Sequence, residues 1–238
     1  MLRLPASLAG LDLTTVAAHL VGALRLAGAR TQAAPLDVVL VHGGLPMRAR
    51  MASTVLESER VARAVVTHVR AAPFFEAVSI AVHPRPALEA PLMLADLRVG
   101  PVGRSNLFVD ACGPGVAHPS FMRRFHDPLV RVRDAHPASL RKREVPEWIA
   151  AASGGTGARL AAPRGAGQDL ARVLLRYTDA YLDALAHAEA AADADDNAAK
   201  ARAVAATVKK NGAARRWLER SFGPARTGEY ERLLWNEA

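Results

Sequence analysis

A single cysteine, Cys112, stands among 238 residues. That excludes a disulfide framework and any all-cysteine zinc or iron-sulfur site, each of which needs several thiolates. Aromatic residues make up only 5% of a chain that is half hydrophobic, so the core has to be built from Ala, Val and Leu. No uncharged apolar run approaches the ~18 residues of a membrane-spanning helix. The N-terminal stretch carries Arg3, Pro5 and Asp12 rather than a clean apolar segment with a small-residue cleavage site, so no secretory signal is expected. The chain reads as soluble, in a reducing cytoplasm, with no membrane partner. Walker, G-x-G-x-x-G and H-E-x-x-H motifs are also missing, which lowers the case for nucleotide-dependent or zinc hydrolytic chemistry. What is present in excess is positive charge: 31 Lys and Arg against 23 Asp and Glu leave +8, and this points to an anionic partner or ligand.

The hydrophobic pattern begins with a helix. Thr14 or Thr15 offers an N-cap, Val16, Leu20 and Leu24 share one face, and Gly28 marks the end. Leu36 to Val41 is a short β-branched run closed by Gly43 and Gly44, as expected of a buried strand and turn. From Val61 the chain alternates, with Val61, Arg63, Val65, Thr67 and Val69 on one strand face and Ala62, Ala64, Val66, His68 and Arg70 on the other. After Pro73, Val78, Ile80 and Val82 alternate in the same way and predict an antiparallel partner. A third strand, Leu92 to Val99, and a fourth, Ser105 to Ala111, are joined by a Gly-Pro-Val-Gly turn.

The segment from Pro114 to Pro146 is rich in Pro and His, and it carries Arg123, Arg124, Arg131, Arg133, Arg141, Lys142 and Arg143. It reads as a long loop or short helical pieces. Arg159 to Ala162 is a candidate further strand. Leu170, Val173, Leu174, Tyr177, Tyr181, Leu182 and Leu185 then form one continuous helical stripe. A second helix runs to Lys209 and Lys210 and stops at Asn211 and Gly212. Two shorter helical segments follow, around Trp217 to Phe222 and Tyr230 to Trp235. No internal repeat or low-complexity linker appears, so residues 1–238 read as one domain with helices packed on a sheet.

Four positions carry chemistry on local grounds. Asp96 lies in the middle of an apolar strand, where a carboxylate costs several kcal/mol unless it is paired, for instance with Arg98, or keeps its proton. A carboxyl that keeps its proton is what a proton donor needs. Arg143 closes a cationic triplet; it is either part of an exposed basic face or a fork for a ligand carboxylate. Asn211 before Gly212 suits a helix C-cap. His83 shares strand parity with Ser79, which makes it either a strand terminator or a proton source on that face. The basic segment 123–143 and the cluster Lys209, Lys210, Arg215, Arg216 and Arg220 would attract an acidic protein or nucleic acid alike. Interleaved aromatics are scarce and no helix-turn-helix, zinc-finger or RNP-type motif is present, which favours the acidic protein over nucleic acid.

Three stretches, in order along the chain, carry a resemblance. They are HPRPALEAPLMLADLRVGP, REVPEW at 143–148 and the C-terminal run KKNGAARRWLERSFGPARTGEYERLLW. Together they resemble the ferredoxin-dependent bilin reductases, and within them the phycocyanobilin:ferredoxin oxidoreductases, over about residues 60 to 238. The resemblance implies a three-layer α/β/α sandwich with a central antiparallel β-sheet. Biliverdin IXα or a related bilin would lie as substrate between the sheet and the C-terminal helices, with no bound cofactor and no metal. Electrons would come from an acidic 2Fe-2S ferredoxin to a chain acting as a monomer, in a radical mechanism. By the same resemblance Asp96 is the proton donor, Asn211 and Trp148 face the substrate, and Arg143 and Ser105 hold its propionates. The chain also departs from the family. Ser79, Thr67 and Val65 stand where relatives have a histidine, a glutamate and a second histidine, and Ala213 replaces a lysine. The departures bear on which double bond is reduced, and they leave a second reading, a tetrapyrrole-binding protein without catalysis.

Overall fold

A computed structural model of the chain describes residues 12–32, 36–41, 48–71, 75–100, 104–116, 118–145, 147–150, 152–211 and 213–235. The side chains of 36–41, 48, 148, 211, 213, 214, 216, 217 and 220 lie outside the described part, as do Gly43, Gly44 and Gly212. The chain opens with helix α1 (Leu13–Leu26). Its cap is Asp12 rather than a threonine: Oδ1 accepts the Thr14 N–H at 3.0 Å and Oδ2 accepts the Thr15 hydroxyl at 2.6 Å. A carboxylate two residues ahead of the first free amides satisfies them better than Thr14 can from inside the helix.

Among the described residues nine strands lie in one antiparallel sheet. They are β1 (Arg30–Thr31), β2 (Leu36–Val41), β3 (Arg48–Glu57), β4 (Val61–Ala71), β5 (Phe75–Pro84), β6 (Leu92–Val99), β7 (Ser105–Cys112), β8 (Arg141–Lys142) and β9 (Ala158–Ala162). Their order is β1-β3-β4-β5-β6-β7-β9-β8, with β2 also on β3. The expected antiparallel β4–β5 pair is there, with Thr67 opposite Ser79. Strand β3 was not legible, because Arg48, Arg50, Ala52, Ser53 and Thr54 dilute its apolar alternation. A bulge between Val61 and Arg63 also corrects the expected parity, since it turns Val61 to the face that Ala64 and Val66 occupy.

Helices cover both faces. On one, α1 and α4 (Gly167–Ala186) bury Leu20, Leu24, Leu174 and Tyr177 against Val66, Ile80, Leu97 and Leu107. The segment read as a long loop or short helical pieces adds a helix to this layer. A π-wound turn, Met122–His126, runs directly into α2 (Asp127–Asp134). Its buried residues Phe121, Phe125 and Leu129 recur every fourth position, and Phe125 lies 5.8 Å from the Tyr181 ring. On the opposite face lie α5 (Ala194–Asn211) and α6 (Ala213–Trp235), with the short α3 (Glu147–Ala150) beside α5. Helix α6 kinks at Gly223, whose φ of 76° and ψ of 160° belong to a region essentially reserved for glycine. Two helical pieces are the outcome, as expected. The three layers are the α/β/α sandwich expected from the sequence.

Candidate active site

The face of the sheet under α5 and α6 is crossed by one row of directly opposed residues. Ser53 on β3 faces Thr67 on β4, Thr67 faces Ser79 on β5, Ser79 faces Asp96 on β6, Asp96 faces Phe108 on β7, and Phe108 faces Arg159 on β9. Side chains of opposed residues stand on the same face within about 5 Å of one another. A second row beside it runs Met51, Val69, Ala77, Arg98, Asn106, Ala161 and Arg141.

The two halves of this face differ. Over β3 to β5 it is closed by α6: Leu218, Phe222 and Tyr230 pack on Met51, Val69 and Ala71, while Trp235 packs with Ala81. The hydroxyls there are satisfied internally, Ser53 with Thr67 at 2.9 Å and Ser79 with the Tyr230 phenol at 3.2 Å. Over β6 and β7, α5 and Trp235 cover one end of the face, burying Leu92, Leu94 and Cys112, while the stretch from Asp96 toward β9 is partly open. Arg98 keeps 41% of its side-chain surface and Asp96 22%; Phe108 is half-buried, and Asn106, Arg159 and Arg141 are exposed. The result is a shelf with an aromatic floor, one carboxylate and a cationic rim.

Asp96 is ion-paired with Arg98, so the pairing that local chemistry allowed is the one the fold makes. The pair also holds the Arg98 guanidinium above its ordinary range. His83 lies on the Ser79 face, as its parity predicts. Its Nε2 donates to the Leu234 carbonyl at 2.7 Å, its ring meets Trp235 edge-on at 6.0 Å, and burial lowers its pKa to about 4. Nε2 therefore carries the proton and the ring is neutral. His68 is bonded to Glu76 at 2.8 Å on the other face, a structural contact.

Ser105 does not join the site. It alternates with Leu107 and Val109 on the α4 face, 1% exposed, while Asp96 stands on the opposite face. Arg143 lies at the rim: its backbone N–H donates to the Arg159 carbonyl at 2.7 Å and its side chain is exposed. Trp148 lies in α3 and Asn211 ends α5, their side chains outside the described residues. The basic segment is partly neutralised within the fold, Arg124 by Glu189, Arg133 and Lys142 by Asp134.

One residue was missed altogether. Asp110, on β7, is fully buried; Thr156 donates to its Oδ1 at 3.0 Å, and the Tyr177 phenol donates to Thr156 at 3.0 Å. Burial pushes the Asp110 pKa up to about 6, against the opposing hydroxyls of Ser153 and Thr156. The glycine-rich run 153–157, SGGTG, is the signal that marks it. A Cβ on Gly157 would stand 2.8 Å from the Asp110 carboxylate, and one on Gly154 would stand 2.3 Å from the Phe121 ring.

No protein-family model and no curated protein matches the chain. Among solved structures it is similar to a crystal structure of phytochromobilin synthase from tomato in complex with biliverdin. The TM-score is 0.73 at 13% sequence identity, over 95% of this chain and 83% of that one. At that identity the likeness is one of fold.

Proposed function

We propose that the chain binds a linear tetrapyrrole of the biliverdin type on the open shelf and reduces one of its double bonds. The observation that carries this reading is the position of Asp96 and Arg98. Asp96, in a row of small hydroxyls and an aromatic, is ion-paired with Arg98 of the neighbouring row, on the partly open part of the sheet face beneath the C-terminal helices. That two-layer gap is where the resemblance puts a bilin, and the fold it shares with a protein seen with biliverdin supports it.

The chemistry follows from the residues. A biliverdin carries two propionates, and the guanidiniums of Arg98, Arg159, Arg141 and Arg143 at the shelf rim suit them as charge-assisted forks. Arg98 and Arg159 take the part that sequence reasoning assigned to Ser105. The Phe108 ring offers a surface for the pyrrole plane. Reduction of one double bond consumes two electrons and two protons. The electrons come from a one-electron donor such as a reduced ferredoxin, an acidic protein that the +8 chain attracts. A propionate that engages Arg98 frees Asp96 to take up a proton from solvent and deliver it to the pigment, once after each electron transfer, so that two electrons and two protons are supplied. A second reading, a pigment-binding protein without turnover, draws on Ser79 and Thr67: their hydroxyls are held by Tyr230 and Ser53 and neither is an acid.

Titrating the protein with biliverdin and then adding reduced ferredoxin under anaerobic conditions separates the readings. Bleaching of the bound pigment band supports reduction; a bound spectrum that never changes leaves the binder; absence of binding removes both. In Asp96→Asn the pigment is expected to bind and stall at a radical absorption band. Wild-type product yield from that variant would remove Asp96 from the chemistry.

A further inference from the structure

The row Ser53–Thr67–Ser79–Asp96–Phe108–Arg159 is long enough to offer a flat ligand two places, over β4 and β5 or over β6, β7 and β9. Among the α6 side chains that close the first place, the one bonded to the row itself is Tyr230. Tyr230 comes down from the arm of α6 beyond the Gly223 kink, 7% exposed, its ring among Met51, Val69 and Phe222. Its hydroxyl is bonded to Ser79 at 3.2 Å and within reach of Thr67. Burial, reinforced by the charge of Asp96, keeps the phenol protonated and hence a hydrogen-bond donor. The arm is held down beyond Tyr230 as well, by His83 on the Leu234 carbonyl and by Trp235 packed with Ala81, Leu92 and Leu94.

We propose that Tyr230 is a specificity-determining residue: its ring fills the place over Thr67 and Ser79, so that the pigment lies over Asp96, Phe108 and Arg159 alone. The proposal rests on the tetrapyrrole reading and fixes the register of the pigment on the sheet. Only the part of the conjugated system above β6 then reaches an acid, so one double bond is reduced and one product isomer results. Removing the ring opens space beside the hydroxyls of Thr67 and Ser79, toward which an edge of the pigment shifts. Its distance from Asp96 and its electronic environment change together.

Tyr230→Ala and the milder Tyr230→Leu test this with biliverdin as the probe. Circular dichroism and thermal melting of the apo proteins show first that the fold is kept; Tyr230→Leu retains apolar contact with Met51 and Phe222 should alanine fail. The expected result is that the variants bind biliverdin with a displaced absorption maximum and, with reduced ferredoxin, yield a different isomer or a mixture by chromatography. An unchanged spectrum together with an unchanged single product would overturn the proposal while leaving the tetrapyrrole reading intact. Loss of binding by a folded variant would also overturn it, because Tyr230 would then be holding the pigment rather than excluding it. If the wild-type protein takes up no biliverdin, the tetrapyrrole reading itself falls, and this register with it.

Discussion

Asp110 is kept where it costs stability, and the cost has a definite pH signature. Its carboxyl has a raised pKa of about 6 in the folded chain against 3.8 in an ordinary carboxyl. The folded state therefore holds a proton that the unfolded state gives up between those values, and stability falls as pH rises through that window. The shift corresponds to ~3 kcal/mol at neutral pH. Asp110→Asn should unfold at a higher urea midpoint than wild type at pH 7, with the advantage shrinking toward pH 4. A difference that is flat with pH would mean that Asp110 does not titrate in this range. Gly157→Ala is expected to act at the same place, since its methyl meets the carboxylate at 2.8 Å; a loss of ~1–3 kcal/mol is expected from overpacking, read by thermal melting.

At the scale of elements, two features of α6 can be tested separately, the Gly223 kink and the His83 contact at its end. Gly223 supplies a backbone turn with nothing within 4 Å of a built Cβ, so Gly223→Ala costs stability through conformation alone, ~1–3 kcal/mol. Calorimetry would check it, and an unchanged melting temperature would show that the kink relaxes. His83 is the latch at the far end. Its lowered pKa of about 4, against 6.5, makes the sign opposite to that of Asp110: the unfolded chain binds the extra proton, and stability is lost as pH falls from about 6.5 toward 4. The last turn of α6 should lose hydrogen-exchange protection across that window. His83→Gln, which keeps a donor for the Leu234 carbonyl, should abolish the dependence; protection that still falls with acid in that variant would assign the effect elsewhere.

At the scale of the whole molecule, the sheet separates two layers with different tasks. The α1 and α4 side carries the larger apolar cluster, with Leu, Val and two buried tyrosines. The α5 and α6 side carries two smaller clusters that share Leu234, and the partly exposed Asp96–Arg98 pair stands on the same side. The net charge of +8 acts at this scale. Binding of biliverdin, a dianion, should weaken as ionic strength rises from about 0.05 to 0.5 M, because exposed charges are screened within a Debye length of ~10 Å or less. Arg159→Ala and Arg141→Ala should each lower affinity about tenfold, ~1.4 kcal/mol. Equal affinity in both variants at low salt would place the propionates elsewhere.

Composition and periodicity were enough to determine an antiparallel sheet with helices, an Ala-Val-Leu core, the α4 stripe from Leu170 to Leu185 and the two-piece C-terminal helix. Each of these follows from local alternation, which a single chain displays. The sequence was silent on β3, whose apolar residues are too few to stand out, and for 122–134 it left a long loop and short helical pieces both open, because Pro128 and the arginines mask a four-residue apolar repeat. For the site it named Asp96, Arg98, Ser79 and Thr67 but not Ser53, Phe108 or Arg159 beside them. That Ser53, Thr67, Ser79, Asp96, Phe108 and Arg159 form one row depends on the registers of five strand pairs, and strand alternation then separates Ser105 from them although it is only three residues from Phe108. Tyr230 over Ser79 and Asp110 over Gly157 are contacts across 151 and 47 residues of chain. Only tertiary packing decides such meetings, because the free energy that places them is the burial of whole faces, not the chemistry of the residues that meet.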